Sequence, residues 1–144
     1  MSKTLQESLD SCLFFTVKKL DRLLNKMADE AFSRVGLAPT YAFILLILAE
    51  EDGRAQKDIA SILHIAPSTL TRFIEKLSQK GYVTTQTKGR ISFVFLTEEG
   101  KKMVPEVQKA WDTLHHSYGD IIGDSYSDQL ATEINDVSNQ ISGK

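Results

Sequence analysis

The hydrophobic period of this chain changes at Gly81, and that change restricts its folds more than any single motif. Before Gly81 apolar residues recur at helical spacing, and directly after it they alternate. Pro67–Gln79 places Leu70, Phe73, Ile74 and Leu77 at i, i+3, i+4 and i+7, one stripe of a helix. The shorter stretch Gln56–Leu63 carries Ile59, Ala60 and Leu63 on its inner side. Tyr82–Gln86 and Ile91–Leu96 are rich in β-branched and aromatic residues, with Thr87-Lys88-Gly89-Arg90 between them as a hairpin turn. Two helices joined by the short turn His64-Ile65-Ala66 and followed by a hairpin predict a winged helix-turn-helix.

The flanks are helical. From Leu5 to Phe32 the residues Leu5, Leu9, Cys12, Leu13, Val17, Leu20, Leu24, Met27 and Ala31 predict one long amphipathic helix that Gly36 ends. Helices of such length and regularity often pack against a partner chain. Pro39 opens a helix running to Glu50, and Asp52-Gly53 is a turn. Thr97 caps a helix carrying Met103, Val107, Trp111 and Leu114, with a kink expected at Pro105. Ser127 is the expected cap of a last helix with Leu130, Ile134, Val137 and Ile141 inward. The fold class is mainly α with a small β-hairpin wing, and residues 1–144 form one domain.

Composition narrows the function. The longest apolar run, Ala42–Ala49, has eight residues, against roughly 20 for a bilayer span. It predicts a buried helix, with no membrane partner. Met1–Glu7 has no apolar region behind a basic start, so no secretion signal is expected. The lone Cys12 suits a reducing cytoplasm. Phosphate loops, paired-ligand metal spacings and nucleophile elbows are missing from the sequence, so we expect no enzyme, cofactor or metal. The net charge of -2 conceals a strong segregation. Residues 54–102 carry nine basic and four acidic side chains, whereas residues 103–144 carry two basic and seven acidic. A basic middle points to a polyanionic partner.

The helix Pro67–Gln79 meets the requirement for major-groove entry: apolar on one side, short, polar and cationic on the other. Opposite its stripe lie Ser68, Thr69, Thr71, Arg72 and Lys76, the candidate DNA contacts. Arg72 can read a guanine edge bidentately, and the hydroxyls suit phosphates or bases. Lys57 begins the preceding helix, where free amides favour a phosphate. Lys88 and Arg90 put two cations at the hairpin tip, suited to a narrow minor groove; a solvated turn is the plainer use of such a tip.

At these residues the chain resembles the MarR family of bacterial transcription regulators. The likeness runs from about Leu5 to Ile141 and is carried by GLAPTYAFILLILAE, KDIASILHIAPSTLTRFIEKLSQKGYVTT and ISFVFLTEEGKKM. The resemblance implies a homodimer whose terminal helices interlock, with residues 1–35 and 99–144 as dimerisation helices and 37–97 as the DNA-binding lobe. Candidate dimer contacts are Leu5, Leu9, Leu13, Trp111, Leu130, Ile134 and Val137. It further implies a near-palindromic double-stranded DNA operator and repression relieved by a small-molecule effector or an oxidant. One departure stands out. The family wing ends in Asp-x-Arg or Asp-Arg-Arg, where this chain has Lys88, Gly89 and Arg90 and is about three residues shorter. Without the aspartate the tip arginine lacks an orienting partner, so the recognition helix is expected to carry more of the affinity.

Three groups have plainer alternatives. Cys12 is the redox-sensor candidate, yet Phe14 stands at the place that matches the family's peroxide-sensing cysteine, and Cys12 reads first as a small interface hydrophobe. Asp112 and His116 have metal-ligand spacing, but adjacent His115 and His116 point to different faces. Phe14, Phe15, Phe32, Phe43, Tyr41 and Trp111 suit either an effector cavity or plain core. His64, in the turn, is read as a structural left-handed residue. Besides a dimeric DNA-binding regulator, the alternatives are a winged-helix protein-interaction module without DNA binding and a redox- or metal-responsive regulator.

Overall fold

The computed structural model describes Ser2–Gly143; Met1 and Lys144, the outermost residues of the domain bounds above, lie outside the described residues. Among the described residues seven α-helices, one 3₁₀ turn and three strands follow in order: α1 (Leu5–Asp10), α2 (Leu13–Phe32), the 3₁₀ turn (Ser33–Val35), α3 (Pro39–Glu50), β1 (Arg54–Ala55), α4 (Gln56–Leu63), α5 (Pro67–Gln79), β2 (Val83–Lys88), β3 (Ile91–Leu96), α6 (Glu98–Ile122) and α7 (Asp124–Ser142). The mainly helical winged helix-turn-helix is therefore present. The sheet is one strand larger than the expected hairpin. Its order is β1-β3-β2, with Arg54 opposite Val94 and Ala55 opposite Phe93. A two-residue strand offers too short an alternation to be seen in sequence.

The long first helix is broken. Ser11 turns its hydroxyl back to the Glu7 and Ser8 carbonyls, and Cys12 takes an extended conformation (φ -90°, ψ 119°) as the residue before α2. A serine hydroxyl that bonds its own preceding turn competes with the helix ladder. Cys12 is thus at a helix start rather than on a helix face. The other end also differs. α6 runs without interruption through Pro105 to Ile122, and Gly123 at φ +92° turns the chain into α7 at Asp124. Ser127 lies inside α7, its hydroxyl donating to the Asp124 carbonyl, so it is not the cap.

Phe32, Ile44, Leu45, Leu48, Ile59, Leu70, Ile74, Leu77, Val94 and Val107 make the innermost core. α3 is apolar around most of its circumference because it lies between α2, α6 and β3. Phe32 meets Phe43 edge-on, Phe43 meets Trp111, and Trp111 meets His115, a continuous aromatic row from lobe to α6. Tyr41 packs on Phe73 instead. Phe14 leaves this group altogether; it is exposed, under the Lys18 ammonium. Of the six aromatics, Phe43 and Trp111 border an open cleft of about 740 Å³ between α3, α4 and α6, and Phe14 and Phe15 border a smaller one of about 270 Å³ on α2.

Candidate nucleic-acid interface

The two lobe helices are set by their turn. His64 takes the left-handed conformation (φ 55°) that ends α4, and the Ile65 amide returns to the Ala60 carbonyl. Pro67 then begins α5 with its fixed φ. Leu70, Ile74 and Leu77 are buried, each contributing roughly 1.5–3 kcal/mol on the usual transfer scale. Those anchors fix the rotation of α5, and rotation decides which side chains meet solvent. Ser68, Thr71, Arg72 and Lys76 do so fully, whereas Thr69 is half-buried. Thr69 is the one hydroxyl of the set that the packing turns partly inward.

The wing closes over a two-residue turn, Gly89-Arg90, with Lys88 opposite Ile91. Lys88 thus ends β2 rather than opening the turn. Gly89 sits at φ +62°, the first central position where hairpin turns favour glycine. Lys88 and Arg90 are both exposed.

The sequence could not assemble these parts, but the structure does. Lys57, Thr71 and Arg90 come from α4, α5 and the wing to the rim of one cleft of about 240 Å³, whose other walls are Gln56, Pro67, Ile91 and Ser92. Two residues that sequence reasoning missed tie it together. The Gln56 amide nitrogen donates to Ser92 Oγ at 3.1 Å, and Thr71 Oγ1 donates to Gln56 Oε1 at 3.2 Å. Thr71 also has the Pro67 carbonyl within 3.0 Å. A glutamine and a serine thirty-six residues apart carry no sequence signal of their pairing.

Ion pairing sharpens the charge count. Arg54 is bound to Glu50 (2.9 Å) and Glu51 (3.1 Å) under the sheet, and Lys101 and Lys102 pair with Glu98 and Glu99 along α6. Among the described residues, the cations of the segment outside ion pairs are Lys57, Arg72, Lys76, Lys80, Lys88 and Arg90. All six lie on α4, on α5 and its exit, or on the wing. Only Asp58 and Glu75 oppose them there.

The expected dimer contacts divide. Leu5, Leu13, Ile134 and Val137 are exposed and Leu9 is half-buried. Leu130 lines an apolar groove of about 630 Å³ between α2, the end of α6 and α7, with Leu20, Met27, Ile121 and Ile134. Trp111 is different: its ring is held between Phe43 and His115 inside the same chain. His115 bonds the Trp111 carbonyl through Nδ1 at 2.8 Å, whereas His116 faces Asp112, Asp120 and Arg34 on the surface. The adjacent histidines therefore do not converge. Among the described residues no helix alone is long and apolar enough to cross a membrane.

Comparison with known proteins places this architecture. The MarR family model matches residues 37–88, the lobe from α3 to the end of β2. The chain is 30% identical over 97 residues to the HTH-type transcriptional regulator YwoH of Bacillus subtilis (strain 168), covering 66% of this chain and 71% of that protein. It is 27% identical over 128 residues to the HTH-type transcriptional regulator TtmR of Methylorubrum extorquens (strain PA1), covering 87% of this chain. The match takes in 64% of TtmR's own length. Among solved structures, the transcriptional repressor CouR bound to a 23-mer DNA duplex superposes with a TM-score of 0.84 at 20% identity, covering 95% of this chain and 99% of that one. A Staphylococcus aureus MepR–DNA complex gives 0.79 at 16% identity, covering 90% and 98%. These two likenesses are of fold. With the lobe matched by the family model and the sequence related to HTH-type regulators, the chain belongs to the MarR family of transcriptional regulators.

Proposed function

We propose that this chain is a homodimer that binds double-stranded DNA at a near-palindromic operator as a repressor, and that a small-molecule effector releases it. The observation that carries the reading is the segregation of unpaired charge. Six cations without internal carboxylate partners cover α4, α5 and the wing, while α7, which bears Asp124, Asp128, Glu133 and Asp136, lies at the other end of the chain. α5 presents Ser68, Thr71, Arg72 and Lys76 for the major groove, Lys57 and Lys88 suit phosphates, and Arg90 suits the adjacent minor groove. Thr69 is assigned a backbone contact from the rim. Relatives support the same direction: CouR has been seen with a DNA duplex and with p-coumaroyl-CoA, and MepR with DNA.

The dimer is assigned to residues 1–35 and 99–144 and the DNA-binding lobe to 37–97. α7 buries no residue within the chain although Leu130, Ile134, Val137 and Ile141 recur along it. A helix whose apolar stripe is left largely uncovered by its own chain needs a partner. Leu5, Leu9 and Leu13 extend that surface, and Trp111 supports it from within.

A mobility-shift titration against the DNA flanking the protein's own gene tests the reading. If about half of the twelve unpaired lobe cations of a dimer meet phosphates, log K falls against log salt with a slope of about -5. No shift at low salt, or a slope near zero, refutes it.

A further inference from the structure

We infer that Gln56 is a positioning residue: its side-chain amide tethers the wing to the recognition helix and so sets where Arg90 meets DNA. The inference rests on the DNA-binding reading of this face. Its geometry stands apart from that reading. β1 holds β3 at Val94 and Phe93 and ends at Ala55. Gln56, the next residue, continues this line with its side chain, reaching Ser92 at 3.1 Å, one residue nearer the wing tip. Beyond Ser92, β3 has only Ile91 before the Gly89-Arg90 turn. The amide is therefore the outermost of these links between the hairpin and the body of the lobe. Its oxygen meanwhile accepts from Thr71, on the exposed side of α5.

An amide suits this post because it joins a donor and an acceptor in one rigid plane. Both partners are neutral hydroxyls, so salt does not screen the tether as it screens phosphate contacts. Its role follows from how a lobe with two reading elements binds. Once α5 is seated, the wing binds as a tethered second module, and its gain depends on being held at the right span. In this short wing the tip arginine has no aspartate on the strand before it; Lys88 stands there. The tether through Ser92 orients the tip from the opposite strand.

The test is a double-mutant cycle on operator DNA, with amide hydrogen exchange on the free protein. Gln56→Ala leaves Thr71 its bond to the Pro67 carbonyl, so no buried polar group is orphaned on α5; circular dichroism checks the fold. In the wild type, Arg90→Ala is expected to weaken binding about tenfold, as loss of a charge-assisted contact does. In the Gln56→Ala background the same change should cost less than about twofold, because a loose wing already forfeits that contact. Arg72→Ala should cost the same in both backgrounds. In the free protein, Gln56→Ala and Ser92→Ala should each speed exchange at the 87–92 end of the hairpin about fivefold, the worth of one ordinary hydrogen bond. The Val83 and Leu96 end should keep its rates. An unchanged cost of Arg90→Ala, or unchanged exchange at the tip, overturns the inference and leaves Gln56 a direct DNA contact or a bystander. If the wild type shifts no DNA, the DNA-binding reading fails, and the exchange experiment alone decides whether the tether exists.

Discussion

Gly100, in the first turn of α6, lies against the Tyr82 carbonyl at the base of the wing, and Gly100→Ala tests that junction. The Thr97 amide donates to the Tyr82 carbonyl at 3.0 Å, and Thr97 Oγ1 donates to the Gly81 carbonyl at 2.6 Å while accepting from the Gly100 amide at 3.0 Å. A Cβ on Gly100 would overlap the Tyr82 carbonyl oxygen and lie 3.0 Å from its carbon and 3.2 Å from Leu96 Cδ2. Leu96 can rotate away. The carbonyl belongs to the backbone and cannot, so α6 must move outward. Helix propensity alone favours alanine over glycine by about 1 kcal/mol. Overpacking against backbone costs about 1–3 kcal/mol, and the two Thr97 bonds that a shift breaks cost about 1 kcal/mol each. The net expectation is a loss of about 2–4 kcal/mol. Urea denaturation followed by circular dichroism measures it, at one protomer concentration for both proteins because a dimer's stability depends on concentration. Gly81→Ala is the control: its Cβ would meet nothing within 4 Å, leaving only the strain of φ +83°, about 1–2 kcal/mol. A Gly100→Ala protein as stable as the wild type, or more so, would refute the close approach and with it the rigid wing–α6 junction.

Other expectations follow from the same structure. Arg72→Ala should weaken operator binding by about 1–3 kcal/mol and relax specificity at one base position, whereas Lys57→Ala should weaken all sequences alike and reduce the salt slope by about 1; mobility shifts across a panel of single-base operator variants distinguish the two. Leu130→Glu places a carboxylate in the apolar groove between α2 and α7 and should shift sedimentation from dimer to monomer, with DNA binding lost alongside; a dimer that survives it would move the interface elsewhere. The Tyr118 phenol is raised above the ordinary tyrosine range by burial first and by the Asp128 carboxylate second. The folded state therefore favours the neutral phenol. That advantage is present in full below the unfolded tyrosine's range near 10 and is lost as the pH rises from there through the raised folded range. Tyr118→Phe should remove this alkaline sag in denaturation midpoints, and identical pH profiles for the two proteins would contradict it.

Most elements are legible in the chain alone, in kind and in order, because helical and strand periods are local properties. The stripe Leu70, Phe73, Ile74 and Leu77 announces α5 and which side of it is inward, and Pro67 and His64 mark its turn. The alternation after Gly81 announces the wing. Even the position of the basic surface could be read, since charge segregates along the chain. The misreadings came where a local rule had a competitor. A continuous apolar period hid the Ser11–Cys12 break, because the serine hydroxyl, not hydrophobicity, ends α1 there. Ser127 looked like a cap, but Gly123 had already turned the chain. The features that were not legible rest on contacts between residues far apart in the chain. The two-residue β1, the Gln56–Thr71–Ser92 bridge and the packing of Trp111 on Phe43 leave no periodic trace. Periodicity reports which side of an element is dry. It takes packing to decide what that element then touches, and which charges are left free to meet a partner.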